Sequence, residues 1–196
     1  ALALGPEIDY VLILDKTTGD KYYLGQSRLE SYYKDPCAYE ILEHHKGSEL
    51  RGMRYEPLFD YFADLYDKGA FVTVLGDSVT PVDGCGIVHT APGFGEDDYN
   101  VLKGTGIPVV CPIDDECKFT DEVPDYKGMF VKDADKAIIA RLKEEGKLVK
   151  KENYLHSYPF CWRTGTPLIY RAMDCWYVDV QKIKGRMVAN NQKITW

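Results

Sequence analysis

Apolar and polar positions alternate in short runs along most of this chain. Asp9 to Leu14 (DYVLIL) and Lys21 to Leu24 read as two strands of a hairpin joined at Lys16-Thr17-Thr18-Gly19-Asp20. Ser27 is placed to cap a short helix, Arg28 to Tyr33, ending near Pro36. Tyr39 to His45 and Met53 to Tyr55 read as strands, and Asp60 to Asp67 as a helical turn whose Tyr61, Phe62 and Leu65 pack a core. Phe71 to Leu75 alternates as a strand should, and Ile107 to Val110 is a further strand. Asp133 to Glu145 is the clearest helix: Asp133 as cap, Ile138, Ile139 and Leu142 as the buried stripe, Gly146 as terminator. Leu148 to Tyr154, Leu168 to Ala172 and Trp176 to Val180 are strand-like, and Ile183 to Asn190 is helical. Many short strands with interspersed helices predict an α+β fold, a β-rich barrel core with peripheral helices.

One stretch breaks this regular texture. Gly84 to Tyr99 reads GCGIVHTAPGFGEDDY. Its apolar run enters His89 and Thr90, a turn follows at Ala91-Pro92-Gly93-Phe94-Gly95, and three acids open an apolar pattern at Val101 and Leu102. The expected local structure is strand, turn, short helix. Pro92 has no N–H for a ladder and ends the strand. Gly93 and Gly95 permit a left-handed backbone or a close backbone approach. Acids in a first helical turn sit against the positive end of the helix dipole, which favours their ionised form. His89 and Asp98 can therefore share a pocket in which a carboxylate receives an ammonium group and a histidine orients water, donates to a carbonyl or limits size. The sequence has neither a G-x-S-x-G nucleophile elbow nor a phosphate-binding G-x-x-x-x-G-K-[ST] loop. The same pattern is also ordinary connection chemistry, with acids that cap a helix and a structural histidine.

Charge and cysteine usage narrow the choice. At 196 residues the chain can bury a core, and its net charge of −7 argues against a self-sufficient nucleic-acid binder. Lys143, Lys147, Lys150 and Lys151 form a local basic cluster, read first as a solvated helix end. The six cysteines make no C-x-x-C pair, and Cys161-Trp162-Arg163-Thr164 has Thr in the last place, so a structural zinc site is not expected. Reduced thiols fit a cytoplasmic location. No apolar run reaches the ~18 residues of a membrane span, and the start carries no basic signal-peptide region. The chain does not begin with Met, so an excised fragment is expected.

The stretch His89-Thr90-Ala91-Pro92-Gly93-Phe94-Gly95-Glu96-Asp97-Asp98-Tyr99 resembles the signature of the editing (connective-peptide) domain of isoleucyl-tRNA synthetase. Tyr158-Pro159-Phe160-Cys161-Trp162-Arg163, Thr166 to Ala172 and Leu2-Ala3-Leu4-Gly5-Pro6 agree with that family in order. The resemblance covers essentially the whole chain and best suits a eukaryotic cytosolic form. It implies an editing domain over 1–157 and, from 158 to 196, a β-rich connection back toward the synthetase's catalytic domain. The implied activity is hydrolysis of mischarged valyl-tRNA(Ile). One methylene in an apolar pocket is worth only about 1–3 kcal/mol, a limit for which isoleucine against valine is itself the standard example. A second, smaller site must therefore remove valine.

By the same resemblance Asp98 anchors the substrate's α-ammonium, and His89 lines the side-chain pocket and excludes isoleucine. Thr90, Ala91, Gly93 and Phe94 form the adjoining wall and turn. No metal or cofactor is implied for this domain, although the parent enzyme uses ATP and Mg. The implied partners are the tRNA(Ile) 3′ end and the remainder of the synthetase, with no membrane and a monomeric domain. The family's threonine-rich peptide, which forms the other pocket wall, precedes the point where this chain starts, so weak hydrolysis by the isolated chain is expected. The alternatives are a non-catalytic tRNA-positioning module and an editing domain of valyl or leucyl type.

Overall fold

The computed structural model describes residues 1–195. Strands β1 (Leu2–Leu4), β2 (Asp9–Asp15), β3 (Lys21–Gly25), β4 (Tyr39–Lys46), β5 (Thr73–Leu75) and β6 (Ile87–His89) form two three-stranded sheets. One has the order β5-β1-β6, with β1 parallel to β5 and antiparallel to β6. The other has the order β3-β2-β4 and is antiparallel throughout. Helices α1 (Leu29–Tyr32), α2 (Glu96–Leu102), α3 (Val131–Glu144) and α4 (Val180–Asn191) complete the α+β fold.

The hairpin strands form where their pattern places them, and β2 explains its own composition. Tyr10 points into one apolar cluster, with Leu4 and Leu50. Val11 and Ile13 point into another, with Leu24 and Leu29. Side chains of a strand alternate between faces, so a strand covered on both faces reads as a nearly continuous apolar run. A bulge opposite Leu12 and Ile13 adds Leu42 to β4 and shifts the register by one residue.

Tyr10 joins the two sheets. Its fully buried hydroxyl donates to the Gly86 carbonyl at 2.6 Å and accepts from the Gly5 N–H at 3.0 Å. Gly47 allows the approach beside it: a Cβ there would lie 2.0 Å from the Gly5 oxygen. A third cluster, Val123, Tyr126 and Ala134, gathers Tyr61, Phe62 and Ile138 against α3.

Several local expectations fail for identifiable reasons. Among the described residues the strands do not close into a barrel. Ile107 to Val110, Leu148 to Tyr154, Leu168 to Ala172 and Trp176 to Val180 run without ladder partners, and Met53 to Tyr55 contributes only an isolated bridge, Arg54 to Val72. Residues 148–154 and 176–179 are largely exposed, and β propensity without a partner strand does not make a strand. Ser27 caps nothing: its hydroxyl donates to the Pro81 carbonyl at 2.7 Å, and a 3-10 turn over Gln26–Arg28 leads into α1. Phe130, rather than Asp133, is the N-cap of α3, and Ala134 is its fully buried residue while Ile138, Ile139 and Leu142 are half-buried. Gly146, at φ 69°, ends that helix as expected.

Candidate active site

β1 is the framework of the site. Leu2, Ala3 and Leu4 pair with Thr73, Val74 and Leu75 on one side and with His89, Val88 and Ile87 on the other. This fixes β6, and with it the direction in which the chain enters the turn. The Thr90 N–H donates to the Ala1 carbonyl at 2.9 Å, which extends the pairing by one residue. Thr90 is buried, and its hydroxyl turns back to the Val88 carbonyl at 3.3 Å. The turn closes through Phe94 N–H to Ala91 carbonyl at 3.0 Å, and α2 begins with Gly95 as N-cap.

The turn is held from both sides. Gly93 is buried, and a Cβ on it would lie 2.4 Å from the Val110 oxygen. Neither Gly93 nor Gly95 has a positive φ, so close approach, and not a left-handed backbone, is what these glycines supply. The Gly93 carbonyl accepts from the Ala172 N–H at 2.7 Å. Arg171, next to it, donates to the Asp114 carbonyl at 2.6 Å and pairs with the Asp115 carboxylate. Tyr99 N–H to Gly95 carbonyl, 2.9 Å, secures the first turn of α2, and buried Leu102 seats its far end.

His89 lies at the end of β6 and Asp98 in the first turn of α2, and the two are electrostatically coupled. His89 keeps solvent access and Asp98 is half-buried, so the pair faces an open surface. Protein atoms crowd the imidazole and hold His89 below the usual histidine range, and Asp98 opposes. The field of Asp98 at this spot thus favours positive charge on His89.

Asp97 is exposed, and Ala91 is half-buried. Phe94 lines a separate groove with Lys132, Tyr158 and Tyr170. Among the described residues no group of three or more His, Cys, Asp or Glu side chains could hold a metal, and no helix is long and apolar enough to cross a membrane. Sequence reasoning missed β1 as the central strand and the contact of Arg171 and Ala172 with the site region. The first has an apolar signature only three residues long, and the second joins residues far apart in the chain, Ala172 through its backbone N–H and Arg171 through its guanidinium.

The lowered His89 has a testable consequence. Its folded value lies below 6.5, so the unfolded chain binds the proton first and stability falls as pH drops through about 6.5. The His89 imidazole resonance should titrate with a midpoint below 6.5, and Asp98→Asn should lower it further because the opposing charge is gone. A midpoint unmoved by that change would mean the two residues do not interact.

No family model matches the chain. Among curated proteins, the isoleucine–tRNA ligase of Treponema denticola is 52% identical over 100% of this chain and 19% of its own length. That of Bdellovibrio bacteriovorus is 51% identical, and that of Chlamydia caviae 46%, with the same coverage. The chain's homologues are isoleucine–tRNA ligases. It spans about a fifth of the length of these relatives. They are bacterial, so the expected eukaryotic form draws no support from them. A solved structure described as GlLeuRS-CP1 matches with a TM-score of 0.50 and 14% identity, covering 78% of each chain. The fold thus resembles that of GlLeuRS-CP1.

Proposed function

We propose that this segment hydrolyses valyl esters formed in error on tRNA(Ile), within an isoleucine–tRNA ligase. The observation that carries this reading is the strand–turn–helix of residues 87–102, which sets a carboxylate beside a histidine on an open surface. Asp98 receives the substrate's α-ammonium. Its effect on His89, which it pushes toward the protonated form, supports this. A carboxylate paired with an ammonium is a weak proton acceptor, so Asp98 anchors and does not act as the base.

His89 bounds the space for the amino-acid side chain. Its lowered proton affinity leaves the imidazole neutral at pH 7, which suits an apolar side chain better than an imidazolium would. Water adds to the ester carbonyl, the carbon–oxygen bond to the ribose breaks, and the ribose oxygen takes the proton. The tRNA 3′ end and the remainder of the ligase are the partners. Residues 158–196 form the connection toward that remainder, which accords with the exposure of Trp162, Trp176 and Tyr177.

The test is deacylation of valyl- and isoleucyl-tRNA(Ile) by the full-length ligase carrying this segment. The valyl ester should be hydrolysed and the isoleucyl ester spared, and His89→Ala should admit the isoleucyl ester. The methylene that separates them is worth about 1–3 kcal/mol, so their ratio should shift by about 10–200-fold. Equal hydrolysis of both esters by the unaltered ligase would sink the proposal.

A further inference from the structure

We propose that Gly95 is a positioning residue, and that the space left by its missing side chain is where the Asp98 carboxylate rests. The backbone does not ask for glycine here. Gly95 has φ −165° and ψ 144°, an extended conformation open to any residue. What forbids a side chain is Asp98 itself. A Cβ on Gly95 would lie 2.0 Å from Asp98 Oδ2, 3.1 Å from Cγ and 3.5 Å from its Cβ, and these are its three nearest neighbours. Gly93 differs, because there the obstacle is the Val110 backbone.

Helix geometry explains the contact. Gly95 is the N-cap of α2 and Asp98 its third residue, and side chains of a first turn lean back over the helix start. A short acid at this place folds its carboxylate over the N-cap residue. A methyl group on residue 95 therefore meets the mobile end of a side chain and no rigid backbone. The anion swings away while the fold is kept. The inference rests on Asp98 being the ammonium anchor, because only then does the place of the anion matter to hydrolysis.

The experiment compares Gly95→Ala, Asp98→Ala and the double variant in the full-length ligase. Gly95→Ala should keep aminoacylation and melting temperature and lower kcat/KM for valyl-tRNA(Ile) deacylation by about 10–100-fold, the cost of a misplaced group. The double variant should be no slower than Asp98→Ala, since the displaced group is already absent. Wild-type hydrolysis by Gly95→Ala beside an impaired Asp98→Ala overturns the inference, as does a further loss in the double variant. If Gly95→Ala does not fold, Asp98→Ala should restore folding by removing the clash, and failure to do so refutes it. If Asp98→Ala hydrolyses normally, the editing reading falls instead. A crystal structure of Gly95→Ala then decides the positional point alone: a displaced carboxylate upholds it and an unmoved one ends it.

Discussion

Asp98→Ala in the full-length ligase should lower valyl-tRNA(Ile) hydrolysis by about 10–100-fold. The figure follows from the interaction removed. A hydrogen bond to a charged group is worth about 1.5–3 kcal/mol, and each 1.36 kcal/mol is about tenfold in rate. Most of the loss should appear in kcat/KM, because the carboxylate that receives the ammonium is gone. The structural cost should be small. Asp98 is half-buried, its side chain takes part in no hydrogen bond with the described residues, and α2 retains Glu96 and Asp97 in its first turn. Circular dichroism checks the fold and a timed deacylation assay checks the activity. Full hydrolysis by the variant would leave Asp98 as no more than a helix-start acid, and the ammonium receptor would have to be sought elsewhere.

Tyr10→Phe should destabilise the chain by about 2–4 kcal/mol. The ring volume is kept, so the cost comes from two buried backbone groups, Gly5 N–H and Gly86 C=O, that lose their partner. Each stranded group costs about 1–3 kcal/mol. For a chain of this size that lowers the melting temperature by about 5–15 °C. The effect should reach the site as well, because Gly86 adjoins β6, which carries His89, and Gly5 follows β1, which pairs with it. Burial pushes the Tyr10 hydroxyl above its ordinary value, so it stays protonated and able to donate over the whole working pH range. Thermal unfolding followed by circular dichroism measures the loss, and a change below about 0.5 kcal/mol, the usual scale of a neutral surface substitution, would mean the two sheets do not depend on this hydroxyl.

The parts legible in the sequence are those whose cause is local. The Asp9–Gly25 hairpin follows from alternation around a turn, α3 from its period and Gly146, and residues 87–102 from Pro92, the glycines and the acids. What escaped is non-local. Leu2-Ala3-Leu4 is too short to display a period, yet it is the central strand, and its partners lie far along the chain. Ser27 has the right chemistry for a cap but finds the Pro81 carbonyl instead. The late segments have strand composition and remain without ladder partners, because composition does not supply a neighbour, and Val180 instead opens α4. At the candidate site, the placement of His89 at a strand end and of Asp98 in the first turn of a helix could be read from sequence. The reason for Gly95 could not, since it depends on where a side chain three residues later returns.

The bond from Ala172 to Gly93 bears on how similar stretches in other proteins should be judged. The turn of residues 91–95 does not hold its shape alone: it leans on Val110, hangs from Ala172 and is aimed by a strand that precedes it by most of a hundred residues. Eleven matching letters transplanted into an unrelated scaffold would bring the functional groups without the distances between them. A chance match therefore signifies little unless the host also provides a strand to align the histidine and a free backbone N–H to catch the glycine carbonyl. Judged that way, the unit of inheritance is the whole domain and not the signature.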